Sequence, residues 1–130
     1  MIVVDASLVI DVLIAREEGE VALGRLSQTG GALVAPEILD LELLQVLRRM
    51  VNSGRLDLRD AEAGLETLSD LHIERFPHGV LTDRIWRLRN NLTAYDAAYF
   101  ALAEALDAPL WTRDTKFGGI RGAAVVVEVF

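Results

Sequence analysis

Cysteine is absent from this chain. Its absence excludes disulfides, thiolate metal sites and cysteine nucleophiles together, and it fits a reducing compartment. Histidine is scarce: His72 and His78 are the only two, and they lack the H-x-x-x-H spacing of a helical zinc motif. Lysine is scarcer still. Of the 13 basic residues all but Lys116 are arginine, and 20 acids outnumber them to give a formal charge of −7. That balance excludes a protein that coats nucleic acid through a broadly basic surface. It does not exclude a nuclease, because acids gathered around divalent cations can dominate the charge while the cations reverse the local field. No G-x-x-x-x-G-K-[ST] loop is present, which removes the P-loop NTPases. The apolar opening is interrupted by Asp5 and Asp11 and has no basic n-region, so it reads neither as a signal peptide nor as a membrane span. A cytoplasmic protein is expected.

What is present is a chain of 130 residues, 52% of them hydrophobic, without repeats or linkers. That is enough for one core and too little for two, so a single domain over residues 1–130 is expected. Ile2-Val3-Val4 is a short β-branched run of the kind buried on both faces of a parallel sheet. Asp5 ends it. Ser7 is a plausible N-cap for a helix carrying Leu8, Val9, Val12 and Leu13. Gly19 suggests a break before a short helix with Val21, Leu23 and Leu26 on one side, and Gly30-Gly31 closes that helix. Ala32–Ala35 follows as a second strand. Pro36 fits the first turn of a long helix reaching about Asn52, apolar through Ile38, Leu39, Leu43, Val46, Leu47 and Met50 and closed by Gly54.

Asp57–Leu71 repeats an amphipathic pattern through Leu58, Ala61, Leu65 and Leu68. His72–Phe76 is a candidate strand stopped by Pro77, with a helix from about Val80 to Arg89 in which Trp86 reads as packing. Thr93 and Asp96 resemble a capping box opening the helix Ala97–Leu106, whose small residues suit close packing on a sheet. Leu110-Trp111-Thr112 is a third buried-type strand, left through Arg113 and Asp114, and Ala123–Val127 is a last one. Strand and helix alternate, which predicts an α/β domain: a central parallel β-sheet flanked by helices on both faces.

Four carboxylates fall at strand exits or on helices packed beside them: Asp5, Glu42, Asp96 and Asp114. Each has a simpler explanation. Asp5 can end a strand and help cap a helix, Glu42 can reach water from the edge of its apolar stripe, and Asp96 can serve only its capping box. Together they point to chemistry, because sites made of carboxylates without His or Cys favour hard cations such as Mg2+ or Mn2+. Crowded acids raise one another's pKa values, and a divalent ion relieves the repulsion. A haloacid-dehalogenase-like phosphatase would need Asp-x-Asp where Ser7 stands, and a receiver domain would need a second acid beside Asp5.

The order strand-Asp-x-Ser, a lone Glu in the apolar helix after Pro-Glu, Thr-x-x-Asp at a helix start, and Leu-x-Thr-x-Asp-x-x-Phe near the end resembles the PIN-domain family. Within it, the chain is similar to the short VapC-type toxin ribonucleases, over essentially its whole length. The resemblance implies a Mg2+- or Mn2+-dependent endoribonuclease, usually a homodimer, inhibited by a VapB-like antitoxin. It matches Asp5, Glu42 and Asp96 to the three core acids and Asp114 to a more variable fourth, with Ser7, Thr93 and Thr112 as supporting polar residues. Asp5 and Asp96 are then the expected direct ligands, Glu42 a ligand or an orienter of water, and Asp114 an outer or second-metal ligand. Arg113 has no counterpart in the pattern, and it could touch phosphate or simply point to solvent. The acids lead to a further expectation, that an inhibitory partner inserts a basic side chain, most simply arginine, among them. The competing reading is a noncatalytic module in which the acids hold a structural ion or meet a basic partner.

Overall fold

The structure, a computed structural model, describes residues 1–120 and 125–130. Five parallel strands form one sheet in the order β3-β2-β1-β4-β5: β1 (Ile2–Val4), β2 (Leu33–Pro36), β3 (Glu74–Phe76), β4 (Leu110–Thr112) and β5 (Val127–Val129). Val3 pairs with Val34 on one side and with Leu110 on the other. All three are fully buried, which is why these segments read as continuous apolar runs rather than as alternating ones. The chain moves outward from β1 through β2 to β3, then returns to place β4 on β1's other side. With right-handed crossovers, α1 (Ala6–Leu13), α2 (Glu17–Thr29), α3 (Leu39–Asn52) and α4 (Leu58–Asp70) share one face. The opposite face receives α5 (Thr82–Arg87) and α6 (Ala94–Leu106), with α6 packed on β1, β2 and β4. Residues Ala97 to Ala103 of α6 are all buried, as expected of a helix built from small residues against a sheet.

The reversal of direction between β1 and β4 opens a crevice at the strands' C-terminal ends, the usual ligand position in open α/β sheets. Asp5 and Thr112 stand on its two sides.

Several expectations need correction. The N-cap of α1 is Asp5, whose side chain accepts from the Leu8 amide; Ser7 lies inside the helix. Gly19 does not break a helix. The break is at Ile14–Arg16, and Gly19 lies in the first turns of α2, where a Cβ would collide with the Asp11 carbonyl of α1. The buried residues of α2 are accordingly Gly19 and Ala22, while Val21 and Leu23 are exposed. Gly64 of α4 makes a similar approach to Leu13, where a Cβ would sit 3.1 Å from the carbonyl oxygen. Pro36 ends β2 rather than starting α3, which begins at Leu39. Leu58 of α4 is exposed, and Gly64 takes part in its buried face. Trp86 is not packing: it is 67% exposed, with the Arg89 guanidinium 4.8 Å from its ring centre. The last strand is Val127–Val129, and the first residues of the expected segment, 123 and 124, lie outside the described residues. No helix is long and apolar enough among the described residues to cross a membrane.

Candidate active site

Asp5 is 5% exposed, and its carboxylate is fixed at three points. Oδ1 accepts from the Ser7 hydroxyl at 2.6 Å and from the Leu8 amide at 3.1 Å, and Oδ2 accepts from the Thr112 hydroxyl at 2.5 Å. The same hydroxyls hold the exit of β4. Ser7 Oγ accepts from the Arg113 amide at 3.0 Å, and Thr112 Oγ1 accepts from the Asp114 amide at 2.9 Å. Thus the strand ends of β1 and β4 are tied by one network, and Asp114 takes its place from the residue that also grips Asp5. Ser7 and Thr112 support the acids in this direct sense.

The other two acids come from helices on opposite faces of the sheet. Glu42, in the first turn of α3, accepts at 2.6 Å from the hydroxyl of Tyr99 on α6. Asp96, in the first turn of α6, is set by its cap: the Asp96 amide donates to Thr93 Oγ1 at 3.2 Å, and that hydroxyl donates to Asp96 Oδ2 at 3.0 Å. Thr93 is therefore the N-cap, as its spacing from Asp96 predicts. Asp5, Glu42, Asp96 and Asp114 all line one cleft, together with Ser7 and Tyr99. The four sequence-predicted acids thus meet in space. His72 and His78 do not join them; His78 lies 3.3 Å from Glu37 at the surface.

Two residues of the cleft are absent from the sequence expectations. Lys116 Nζ lies 2.8 Å from Asp96 Oδ2 and 2.9 Å from Asp114 Oδ2. Tyr99 stands one helical turn beyond Asp96, a spacing that puts both on one side of α6 and was available in the sequence. Arg113 turns away from the cleft. Its Nε meets Asp11 Oδ2 at 2.7 Å, and its Nη1 meets Glu18 at 3.1 Å and the Phe130 carbonyl at 2.8 Å.

The electrostatics follow from burial first and from neighbours second. Burial pushes the Asp5 carboxyl above its ordinary value despite three hydrogen bonds that favour the ionised form, and the charge of Asp96 adds to the rise. Burial also raises Glu42; the Tyr99 hydrogen bond opposes this, while Asp96 and Asp5 reinforce it. Burial and its bond to Glu42 drive the Tyr99 phenol upward, so it remains a donor. Asp114 departs from the expected mutual raising. Burial pushes it up, but the hydrogen bonds and charge of Lys116 prevail and hold it below the usual carboxylate range.

The donor set suits a hard divalent cation: oxygen ligands only, in negative excess, with hydroxyl groups supporting them. Among the described residues, however, no three acids are gathered closely enough to hold an ion as they stand. Lys116 stands between two of them.

A parallel α/β domain with a 3-2-1-4-5 sheet and four carboxylates in the crevice beside its first strand defines a recognisable class. The PIN domain model matches residues 2–122, and the chain belongs to the PIN-domain family. It is 40% identical to Ribonuclease VapC1 of Mycobacterium tuberculosis over 128 residues, 98% of this chain and 96% of that protein. Among solved structures it is similar to VapBC2 of Rickettsia felis bound to a promoter DNA fragment, with a TM-score of 0.72 at 18% identity, covering 100% of this chain and 99% of that one. It is also similar to a toxin-antitoxin complex from Klebsiella pneumoniae, with a TM-score of 0.68 at 21% identity over 99% and 97% of the two chains.

Proposed function

We propose that this chain is a metal-dependent endoribonuclease that hydrolyses RNA phosphodiester bonds, acting in the cytoplasm as the toxin of a toxin-antitoxin pair. The observation that carries the proposal is the meeting of Asp5, Glu42, Asp96 and Asp114 in one cleft, in a chain with a close likeness to a protein named as a ribonuclease. Asp5 and Asp96 would hold Mg2+ or Mn2+ directly, Glu42 would complete the set or orient water, and Asp114 would be an outer ligand. Such an ion, when bound, activates water and offsets charge developing on the phosphate.

The chain's own residues account for the rest. Water attacks phosphorus, the bond to one ribose oxygen breaks, the proton lost by water passes to a carboxylate, and the departing ribose oxygen takes up a proton from solvent. Glu42 suits the role of that carboxylate, because burial raises its pKa and Tyr99 engages only one of its oxygens. Ser7 and Thr112 donate to Asp5 and hold it in one orientation. A neighbouring groove shares Glu42 and Val46 with the cleft and continues past Gln45, Arg49 and Tyr95. Arg49 offers a phosphate contact there.

Two partners belong to this reading. A second copy would cover exposed Leu41, Val80 and Tyr95 around the groove between α3, α5 and α6, since contiguous exposed apolar surface commonly marks an interface. A VapB-like antitoxin would inhibit the enzyme, a role supported by the likeness to a toxin-antitoxin complex.

The test is cleavage of RNA by purified protein in Mg2+ or Mn2+. Asp5→Asn, Glu42→Gln and Asp96→Asn should each lower the rate by about 100-fold or more, the scale expected when a preorganised charge is lost from an active site. Asp114→Asn should be milder. Equal cleavage by all four variants and the wild type, with contaminating nuclease excluded, would refute the assignment. Metal binding without cleavage would favour the noncatalytic module.

A further inference from the structure

We propose that Lys116 is a built-in cation of the acid cleft, holding the position between Asp96 and Asp114 that a second divalent ion would take, so that each cleft works with a single divalent ion. The inference rests on the nuclease reading above and narrows it.

The placement of the ammonium carries the argument. It bridges carboxylates from two separate elements, the start of α6 and the exit of β4, at 2.8 and 2.9 Å, and it lines the same cleft as Asp5 and Glu42. An isolated surface pair would be weak and mobile. This one has a fixed base. The Lys116 amide donates to Asp114 Oδ1 at 2.9 Å, closing a tight turn that sets where the side chain begins. The next residue, Phe117, is 2% exposed and stacks on Phe100 of α6, with ring centres 6.3 Å apart and planes 7° from parallel. The ammonium lies 5.9 Å from the centre of that same ring. Lys116 therefore rises into the cleft from a 3₁₀ turn, Lys116–Gly119, that is rooted in the core.

Charge and chemistry agree with the placement. One divalent ion and one ammonium leave four carboxylates a single charge short of neutrality, whereas two divalent ions with the ammonium would exceed it. Asp96 and Asp114 close around nitrogen, and no three acids converge among the described residues. A lysine offers three rotatable donors. Two face carboxylates here, and the third is available for a phosphate oxygen. Of the 13 basic residues this is the single lysine, and a compact point charge suits the gap better than a planar guanidinium.

The experiment is calorimetric titration of Mn2+ into the full chain, paired with electron paramagnetic resonance, for wild type, Lys116→Gln and Lys116→Arg. Circular dichroism confirms that the variants are folded, and the half-exposed position of the side chain makes that the expected result. Wild type and Lys116→Arg should bind one Mn2+ per chain with the spectrum of an isolated ion. Lys116→Gln should bind two, with the coupled spectrum of ions about 3.5–4 Å apart. Two ions in the wild type, or one ion in Lys116→Gln at unchanged affinity, would overturn the inference and leave the nuclease reading standing. Failure of Mn2+ to bind any of the three would overturn both.

Discussion

Replacing Arg113 tests whether this residue belongs to the chemistry of the cleft or to the frame that holds it. Asp11 lies in the middle of α1 and is 3% exposed, an environment in which an unpaired carboxylate is costly. Arg113 Nε reaches it at 2.7 Å, and its only other ionic partner among the described residues is Arg16, at 3.4 Å and largely solvent-exposed. Removing the partner of a fully buried ion costs about 3–5 kcal/mol. Because Arg113 is itself a third exposed and Arg16 remains, roughly half of that range applies to this pair. The hydrogen bond to the Phe130 carbonyl adds about 1 kcal/mol, and the half-exposed contact with Glu18 adds little. Arg113→Met should therefore destabilise the fold by about 2–4 kcal/mol. Urea unfolding at pH 7, in chelator and at fixed protein concentration, measures it. The decisive comparison is a double-mutant cycle: Asp11→Asn should destabilise the wild type but stabilise the Arg113→Met background, because the orphaned charge is then gone. A loss below about 1 kcal/mol for Arg113→Met, or an Asp11→Asn effect of the same sign in both backgrounds, would refute this account.

Other outcomes follow from the site. Burial raises the pKa of Asp5 in the fold, so the folded state binds more protons than the unfolded one and stability falls as pH rises from the ordinary carboxylate range. Without metal, Asp5→Asn should unfold at a higher temperature than wild type at pH 7, with the gain vanishing below about pH 4; a wild type more stable at every pH would refute it. Tyr99→Phe removes the hydrogen bond that holds the Glu42 pKa down, so the acid limb of the pH–rate profile should move to higher pH, and an unmoved limb would show that Glu42 does not titrate in the reaction. Leu41→Glu should shift sedimentation from dimer toward monomer at micromolar concentration, and a monomeric wild type would remove the proposed interface.

The four acids were legible because each stood at a position defined by local pattern: the end of an apolar strand, an acid inside an apolar helical stripe, a capping position, and a second strand exit. What failed locally did so where one residue type serves two ends. Asp5 and Ser7 are both good N-caps, and only the fold shows that the acid caps while the serine braces it. Gly19 was read as a breaker, though glycine equally permits two backbones to touch. Trp86 fitted an apolar helical pattern, but α5 has six residues and buries none of them. Lys116 and Tyr99 were missed for a different reason. The spacing of Tyr99 from Asp96 was there to be read, but its bond to Glu42 and the pairing of Lys116 with Asp96 join separate elements across the crevice, and such pairings leave no periodic trace in sequence.

The close packing of α1 has a consequence for motion. This helix of eight residues is approached on its carbonyl side by Gly19 of α2 and by Gly64 of α4, and its N-terminus is pinned to β4 through Ser7 and Thr112. Contact without intervening side chains leaves no rotamers to rearrange, so α1 has few ways to open short of losing its neighbours. Its central amides should consequently exchange hydrogen only through near-global unfolding, while the exposed α5 exchanges through small local openings. The same packed helix presents Asp5 at its N-cap, with the carboxylate tied to Thr112 at the end of β4.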